Sequence, residues 1–435
     1  MSSLHSIPRE VDSIVRTVIL SGTAPAEPGV GGVILADLVR TVGAETCACA
    51  WLASRRAGST PVLEGLTTVR IERRYETAFR PLRGIAGEVI SATALRALRP
   101  AVLRECAREV MRLIDRHRPD HVLAVLESPA AIQVAARIHR DAGIPLRSLV
   151  WDDIELLCRQ AALDRWTRRW LHDDFAYVLQ HSRQTAVICE NMRTAYAERY
   201  GISSMVLRHG VSVPELVDGG APSARDGDHL RIGFAGSVTA PDCLHAVVQS
   251  LDSMNWRIGN RDIALRLIGS RYLLDSRQPQ RIEFLGWRSV AETCRFLREC
   301  DLLYLPQTFA ADLRFFSELS FPTKLSTYVA VQRPILLHAP EYASLAEFWN
   351  GHEMGPWCKS LESDAVGREV VRGLDPGDSA ELRWQNESKR VCENILNVVS
   401  FSRGIRRLLG IEEQDTGQPD VEIPASVIVC REPVH

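Results

Sequence analysis

The sequence predicts an α/β protein built from two doubly wound domains, each a parallel sheet covered by helices, facing one another across a cleft. Three observations carry this reading. At 435 residues, with 46% hydrophobic and 24% charged, the chain is too long for one core and has an ordinary globular balance. Short apolar runs alternate with amphipathic stretches along nearly its whole length, the pattern of βα units feeding a parallel sheet. The alternation breaks once, at residues 214–229, where glycine, proline, serine and aspartate gather as they do in a linker.

The elements follow in order. In the first domain (1–213) strands are expected at Thr17–Leu20, Thr46–Trp51, Thr68–Ile71, His121–Leu126, Arg147–Trp151, Thr185–Ile188 and Met205–Arg208. Helices are expected at Gly32–Val42, Ala101–His117, Ala130–Ala142, Ile154–Gln180 and Asn191–Tyr200. The second domain (230–380) repeats the pattern with strands at Arg231–Ala235, Ala264–Ile268, Ile282–Leu285, Leu302–Leu305 and Ile335–His338. Its helices lie near Asp242–Met254, Val290–Cys300, Thr323–Val331 and Ser344–Trp349. Residues 381–410 read as a carboxyl-terminal helix that packs back toward the first domain, and 411–435 as a weakly patterned tail.

Composition excludes several classes. The 52 basic and 54 acidic residues leave a net charge of −2, so no nucleic-acid partner is expected. Eleven scattered cysteines with no C-x-x-C pair fit neither a disulfide framework nor a zinc ribbon, and suit a reducing cytosol. The first residues lack a basic segment followed by an apolar run, and no stretch is apolar enough to span a bilayer, which points to the cytoplasm. Forty-nine of the basic residues are arginine, and the three lysines are Lys324, Lys359 and Lys389. A lysine inside a motif is therefore worth weighing.

Ligands of open α/β sheets bind at the carboxyl ends of strands, so the strand-to-helix loops carry the chemistry. The first runs from Ser21 to Gly32, where Gly31 and Gly32 permit a close backbone approach at a helix start. It is not a G-x-G-x-x-G dinucleotide fingerprint. The second, Gly233–Asp242, offers Gly236 and Ser237 to an anion, with Asp242 read as the helix cap. The third, Ser320–Leu336, places Lys324, Ser326 and Thr327 at a helix start beside a positive dipole end, an anion site in outline.

The run Phe321–Leu336 resembles the carboxyl-domain signature of GT-B glycosyltransferases, in particular retaining family 4, with its Pro-x-Lys-x-x-Glu-Tyr helix and Gly-x-Pro-Ile strand. Gly31-Gly32, Cys189–Met192, Arg208–Val211, Leu267–Gly269, Phe284–Gly286 and Asp301–Pro306 follow in that family's order, over roughly residues 17–350. The chain departs from the family in two places. Ser237 stands where an arginine is usual, with no lysine shortly after, and the usual pair of glutamates is missing, its positions falling at Leu319, beside Glu318, and at Thr327.

The resemblance implies two Rossmann-like domains, a nucleotide-diphosphate sugar as co-substrate, no other cofactor and no metal. The donor sits on the second domain, and an unidentified acceptor, saccharide or lipid-linked, sits on the first. Fixed donors and a cation aimed at the leaving diphosphate then do most of the work. Lys324 is the central expectation, with Gly31, Gly32, Gly236, Ser237, Ser326, Thr327 and Arg314 around the diphosphate. Gly286, Trp287 and Arg288 are expected at the nucleoside, where Trp287 is either a stacking platform or a core tryptophan. Asp152 and Glu318 join Lys324 as catalytic candidates, Asp152 as base for the acceptor hydroxyl and Glu318 toward the donor hydroxyls. Glu127 is a weaker candidate, and His209 and His338 read as structural. Asp152 and Asp153 are adjacent and diverge, so they suit helix capping rather than a metal. Two alternatives stay open: a nucleotide-sugar epimerase on this fold, and an inactive GT-B binding protein.

One patch is left over. Between Arg70 and Arg118 there are twelve arginines against six acids, interleaved with leucine and valine. It is either a solvated helix face or a basic amphipathic surface for peripheral membrane contact at the inner face.

Overall fold

The structure, a computed structural model, describes residues 15–26, 29–53, 63–72, 84–211 and 229–411. Residues 214–228 of the linker and 412–435 of the tail fall outside these residues, while His229 already belongs to the second sheet. The first domain contains β1 (Thr17–Ser21), α1 (Val30–Val42), β2 (Cys47–Ala53), β3 (Thr67–Glu72), α2 (Ile85–His117), β4 (His121–Val125) and α3 (Pro129–Ala142). It continues through β5 (Leu146–Leu149), α4 (Ile154–Gln160), α5 (Arg165–His181), β6 (Ser182–Val187), α6 (Glu190–Tyr200) and β7 (Ser204–Val206). The second has β8 (His229–Gly236), α7 (Pro241–Ser253), β9 (Arg257–Ile258), β10 (Arg261–Gly269), β11 (Ile282–Gly286), α8 (Val290–Arg298) and β12 (Leu302–Pro306). Then come α9 (Arg314–Leu319), α10 (Lys324–Val331), β13 (Ile335–His338), α11 (Ser344–Gly351), β14 (Trp357–Cys358), α12 (Ser363–Leu374), α13 (Asp378–Asn394) and α14 (Val398–Leu409).

The first sheet is parallel in the order β3-β2-β1-β4-β5-β6-β7, and the second follows β11-β10-β8-β12-β13-β14 with β9 antiparallel on β10. Both orders reverse once, between β1 and β4 and between β8 and β12. Those are the switch points where loops on either side diverge and leave a crevice. Strands such as Thr17–Ser21 and Leu302–Pro306 are buried at every position because helices cover both faces, which is why they read as continuous apolar runs.

Helices α9 and α12 and the short strands β9 and β14 were not expected, and three of the expected helices are drawn differently. The long one predicted at Ile154–Gln180 is two, α4 and α5. Ala162 turns left-handed at φ 48°, and the Asp164 carboxylate then accepts from the backbone N–H of Trp166 and Thr167, both at 3.0 Å, to start α5. The segment 381–410 is likewise α13 and α14, separated at Asn397, whose side chain caps α14 by accepting from Ser400 N at 2.7 Å. The third, α2, starts at Ile85 rather than Ala101 and carries Pro100 inside it.

α13 packs on α10 of the second domain, while α14 crosses to the first and lies on α1 and β6. Phe401, Ile405, Leu408 and Leu409 join Ile34, Leu35 and Leu38 in one buried cluster. Thr41 and Ser402 share a 2.9 Å hydroxyl bond, and Arg147 donates to the Leu408 carbonyl.

Candidate active site in the interdomain cleft

The carboxyl end of β8 and the start of α10 form one construction. Tyr328, fully buried, accepts from Ala235 N at 2.9 Å and donates to the Tyr304 carbonyl at 3.2 Å. It thereby ties α10 to both strands of the switch point. One turn earlier Lys324 opens α10, its ammonium 3.3 Å from the Ser237 carbonyl and 4.1 Å from the centre of the Phe234 ring. Gly236 takes φ 98° and lets the chain bend beneath it. Part of the Lys324 side chain is open to solvent, yet burial lowers the ammonium pKa to about 7, and no described carboxylate offsets that. An ammonium so placed gains most from an arriving anion. Thr327 is half-buried three residues on, on the same helix face.

Other expected groups are placed differently. The Ser326 hydroxyl, expected at the diphosphate, is buried and donates to the His209 carbonyl of the first domain at 2.8 Å. Arg314 and Glu318 pair with each other, both guanidinium contacts at 3.1 Å, and Arg314 lies 4.4 Å from the Tyr342 ring. The two charges are thus paired with each other at the surface. Asp242 does not cap α7, whose start has no side-chain cap. It instead accepts from Thr308 Oγ1 at 2.9 Å and Phe309 N at 2.6 Å, joining the two loops of the switch point. Trp287 is not a core residue; it is 65% exposed just beyond β11, beside Gly286 at φ 69° and the exposed Arg288.

The first domain contributes two carboxylates. Glu127, at the end of β4, accepts from the Ser21 hydroxyl, from Thr23 N at 2.9 Å and from Thr23 Oγ1 at 3.0 Å. Burial raises its pKa and those bonds oppose the rise. It clamps the β1–α1 loop across the switch point. Asp153 caps α4 through Glu155 N at 2.9 Å and accepts from Tyr196 at 3.2 Å. Asp152 beside it is half-buried, with a pKa raised by burial and then by the neighbouring Asp153 charge. Gly31 faces the Trp151 ring, which a Cβ there would meet at 3.3 Å, and a Cβ on Gly32 would stand 1.9 Å from the Ala26 carbonyl oxygen. Gly32 is thus required by the loop folding onto its own helix. Among the described residues no cluster of His, Cys, Asp or Glu could hold a metal ion.

No family model matches the chain, and no curated protein matches it. Solved structures do. The chain resembles a sucrose-phosphate synthase from Thermosynechococcus elongatus at 12% identity and TM-score 0.62, covering 91% of this chain and 98% of that one. It resembles Anabaena HepE, solved with UDP and glucose, at 11% identity and TM-score 0.60 over 92% and 100% of the two chains. An α,α-trehalose-phosphate synthase from Burkholderia xenovorans, in complex with glucose-6-phosphate, matches at 14% identity and TM-score 0.61 over 91% and 100%. The chain has the GT-B fold.

In this GT-B structure the domains meet at a pocket lined by Arg208 and His209 from the first and Phe321, Thr323 and Ser326 from the second. Arg208, leaving β7, stacks its guanidinium 4.7 Å from the Phe321 ring and 5.3 Å from Phe348 across the cleft, with Glu190 3.8 Å away. Its Nε is buried without a partner, and burial lowers its pKa. His209 Nε2 lies 2.8 Å from Asp37, and its ring meets Phe401 edge-on at 5.0 Å. The sequence marked both through the Arg208–Val211 motif just before the linker, with His209 read as structural and no site role given to Arg208. His338, by contrast, is buried among Tyr304 and the Ser360 carbonyl, both at 2.8 Å, with its pKa lowered to about 4 by burial.

Proposed function

We propose that this chain is a glycosyltransferase that moves a sugar from a nucleotide-diphosphate donor to a hydroxyl acceptor, with a retaining outcome as in family 4. The observation that carries it is Lys324, a desolvated ammonium with no described carboxylate near it, at the start of α10 and over the Gly236-Ser237 turn. As the bond from the anomeric carbon to the phosphate oxygen breaks, its electron pair leaves with the diphosphate. A cation and a helix start at that oxygen stabilise the charge where it grows. The acceptor oxygen forms the new bond to the anomeric carbon. Its proton passes to a base, and Asp152, whose pKa is raised in the first domain, suits that role. Thr327 and the Ser237 backbone complete the diphosphate cradle, and the exposed Trp287 offers a face to the base.

The solved relatives named with UDP, glucose or glucose-6-phosphate support this substrate class. The acceptor we assign is a saccharide or a lipid-linked carrier in glycoconjugate or polysaccharide assembly, used at the cytoplasmic face of a membrane. The test is calorimetric titration with a panel of nucleotide sugars, followed by product analysis. One donor should bind, and Lys324→Ala should weaken it by about tenfold or more, the worth of a charge-assisted contact. Failure of every donor to bind overturns the reading, and conversion of the donor to an epimer without transfer replaces it.

A further inference from the structure

Helices α2, α3 and α5 pack on one another over the first sheet and leave a cavity of about 240 Å³ between them, which shares no residue with the interdomain pocket. Packed helices leave few voids larger than a water molecule, so the side chains that hold this one open need a reason. Each helix turns one stripe toward it: Arg96 and Leu103 on α2, Gln133, Arg137 and Arg140 on α3, and Trp170 and Asp174 on α5. Within each helix these positions recur at the spacing of a single face, the face that a seam between helices ordinarily fills with apolar residues.

The lining is cationic, with three arginines against Asp174. Arg140 donates to Asp174 at 2.6 Å and lies 4.1 Å from the centre of the Tyr177 ring, while Arg137 donates through Nε to Asp141 at 2.6 Å. Each pair holds its guanidinium in place and uses one of its several N–H donors. Arg96 is exposed at the rim, and among the described residues no carboxylate pairs with it. Gln133, 2% exposed, forms the floor, and Leu103 and the half-buried Trp170 give an apolar wall. Guanidinium forks fixed around an open space match the oxygens of a phosphate, and an aromatic wall suits the flat face of a ring. Sites for drug-sized ligands run to about 300–1,000 Å³, so this one admits a monosaccharide phosphate and not a whole nucleotide sugar.

We propose that this cavity is a second ligand site, separate from the cleft, that binds a phosphorylated monosaccharide with its phosphate on Arg96, Arg137 and Arg140 and its ring against Trp170. The site uses none of the residues assigned to sugar transfer, so it stands or falls apart from the proposed function.

The test is calorimetric titration of the full chain with glucose 6-phosphate, with inorganic phosphate and glucose as separate probes. The ester should bind more tightly than phosphate, and glucose should not bind. Arg96→Gln with Arg137→Gln should weaken the ester by about a hundredfold, about tenfold for each charge-assisted contact, with melting temperature and nucleotide-sugar affinity unchanged. Lys324→Ala should leave the ester's affinity as it is. Hydrogen exchange of the wild type should show the ester protecting α2, α3 and α5 and not α10, and this measurement decides the matter if the arginine variant melts early. The proposal is overturned if the ester fails to bind, if phosphate alone binds as tightly, or if the arginine variant binds normally. Weakening by Lys324→Ala, or protection at α10, places the ester in the cleft and overturns it too. Competition by phosphatidic acid vesicles, which present a phosphate monoester without a sugar, would give the arginines to a lipid headgroup and likewise refute it.

Discussion

Lys324 is the residue on which most rests, and its environment makes a pH prediction with a definite sign. In the free protein burial holds the ammonium pKa to about 7, so the group is charged below that and largely neutral above. A bound diphosphate favours the charged form and raises the pKa, so binding above pH 7 takes up a proton. Donor affinity should therefore be flat below about 7 and fall by up to roughly tenfold per pH unit above it, until the bound pKa is passed. Lys324→Arg keeps its charge throughout and should remove the slope. Titration of a nucleotide sugar, whose diester phosphates do not ionise in this range, measures it; the same slope in the arginine variant would mean another group titrates. At this scale the sequence exposes residue type but not partner. Lys324 stood out by rarity and by its place at a helix start, whereas nothing local told that the Ser326 hydroxyl would reach His209; the Arg314–Glu318 pair needed only that 314–319 be read as a helix, which the sequence reading did not do. Arg208 was marked by its motif, but its partners were hidden because the two aromatic rings lie more than a hundred positions away.

At the scale of elements, Gly32 separates local propensity from packing. An interior helix glycine replaced by alanine ordinarily stabilises a helix by about 1 kcal/mol. Here the new Cβ would meet the Ala26 carbonyl oxygen at 1.9 Å, backbone that cannot step aside without moving the β1–α1 loop. Gly32→Ala should therefore destabilise, by roughly 2 kcal/mol on the scale of overpacked sites. Denaturant unfolding checks the sign, and a stabilised variant would refute the close packing. Elements were legible where both faces are buried, since apolar runs such as Val18–Leu20 and Leu302–Leu305 leave no other reading. Boundaries failed where one side chain decides them. Asp164 starts α5 and Asn397 starts α14 inside stretches whose helical period runs on unbroken, and the helix expected from Ala101 begins at Ile85, with Pro100 inside it.

For the whole molecule the question is whether two domains behave as two. The chain passes between them twice, and the passages touch: Val211 pairs with Asn397, and a Cβ on Gly210 would stand 2.2 Å from Asn397 N. α13 belongs to the second domain by its packing on α10, and α14 to the first through Phe401, Ile405, Leu408 and Leu409. The buried apolar positions of α14 recur at helical spacing, so the sequence exposes an amphipathic helix, but its destination is set by the matching face of α1 far upstream. Unfolding either domain pulls α14 from its seat or drags the other domain's tether, so the two should melt together in one calorimetric transition. Phe401 is the central contact, 2% exposed and set edge-on against His209. Phe401→Ala leaves a cavity worth about 3–5 kcal/mol, and that loss falls on the first domain and its tether while the second keeps its own core. The variant should therefore split the endotherm, the early component belonging to the first domain and the late one remaining sensitive to the nucleotide-sugar donor. A variant that melts in a single shifted transition, or a wild type that already melts in two, would show that α14 does not couple the domains.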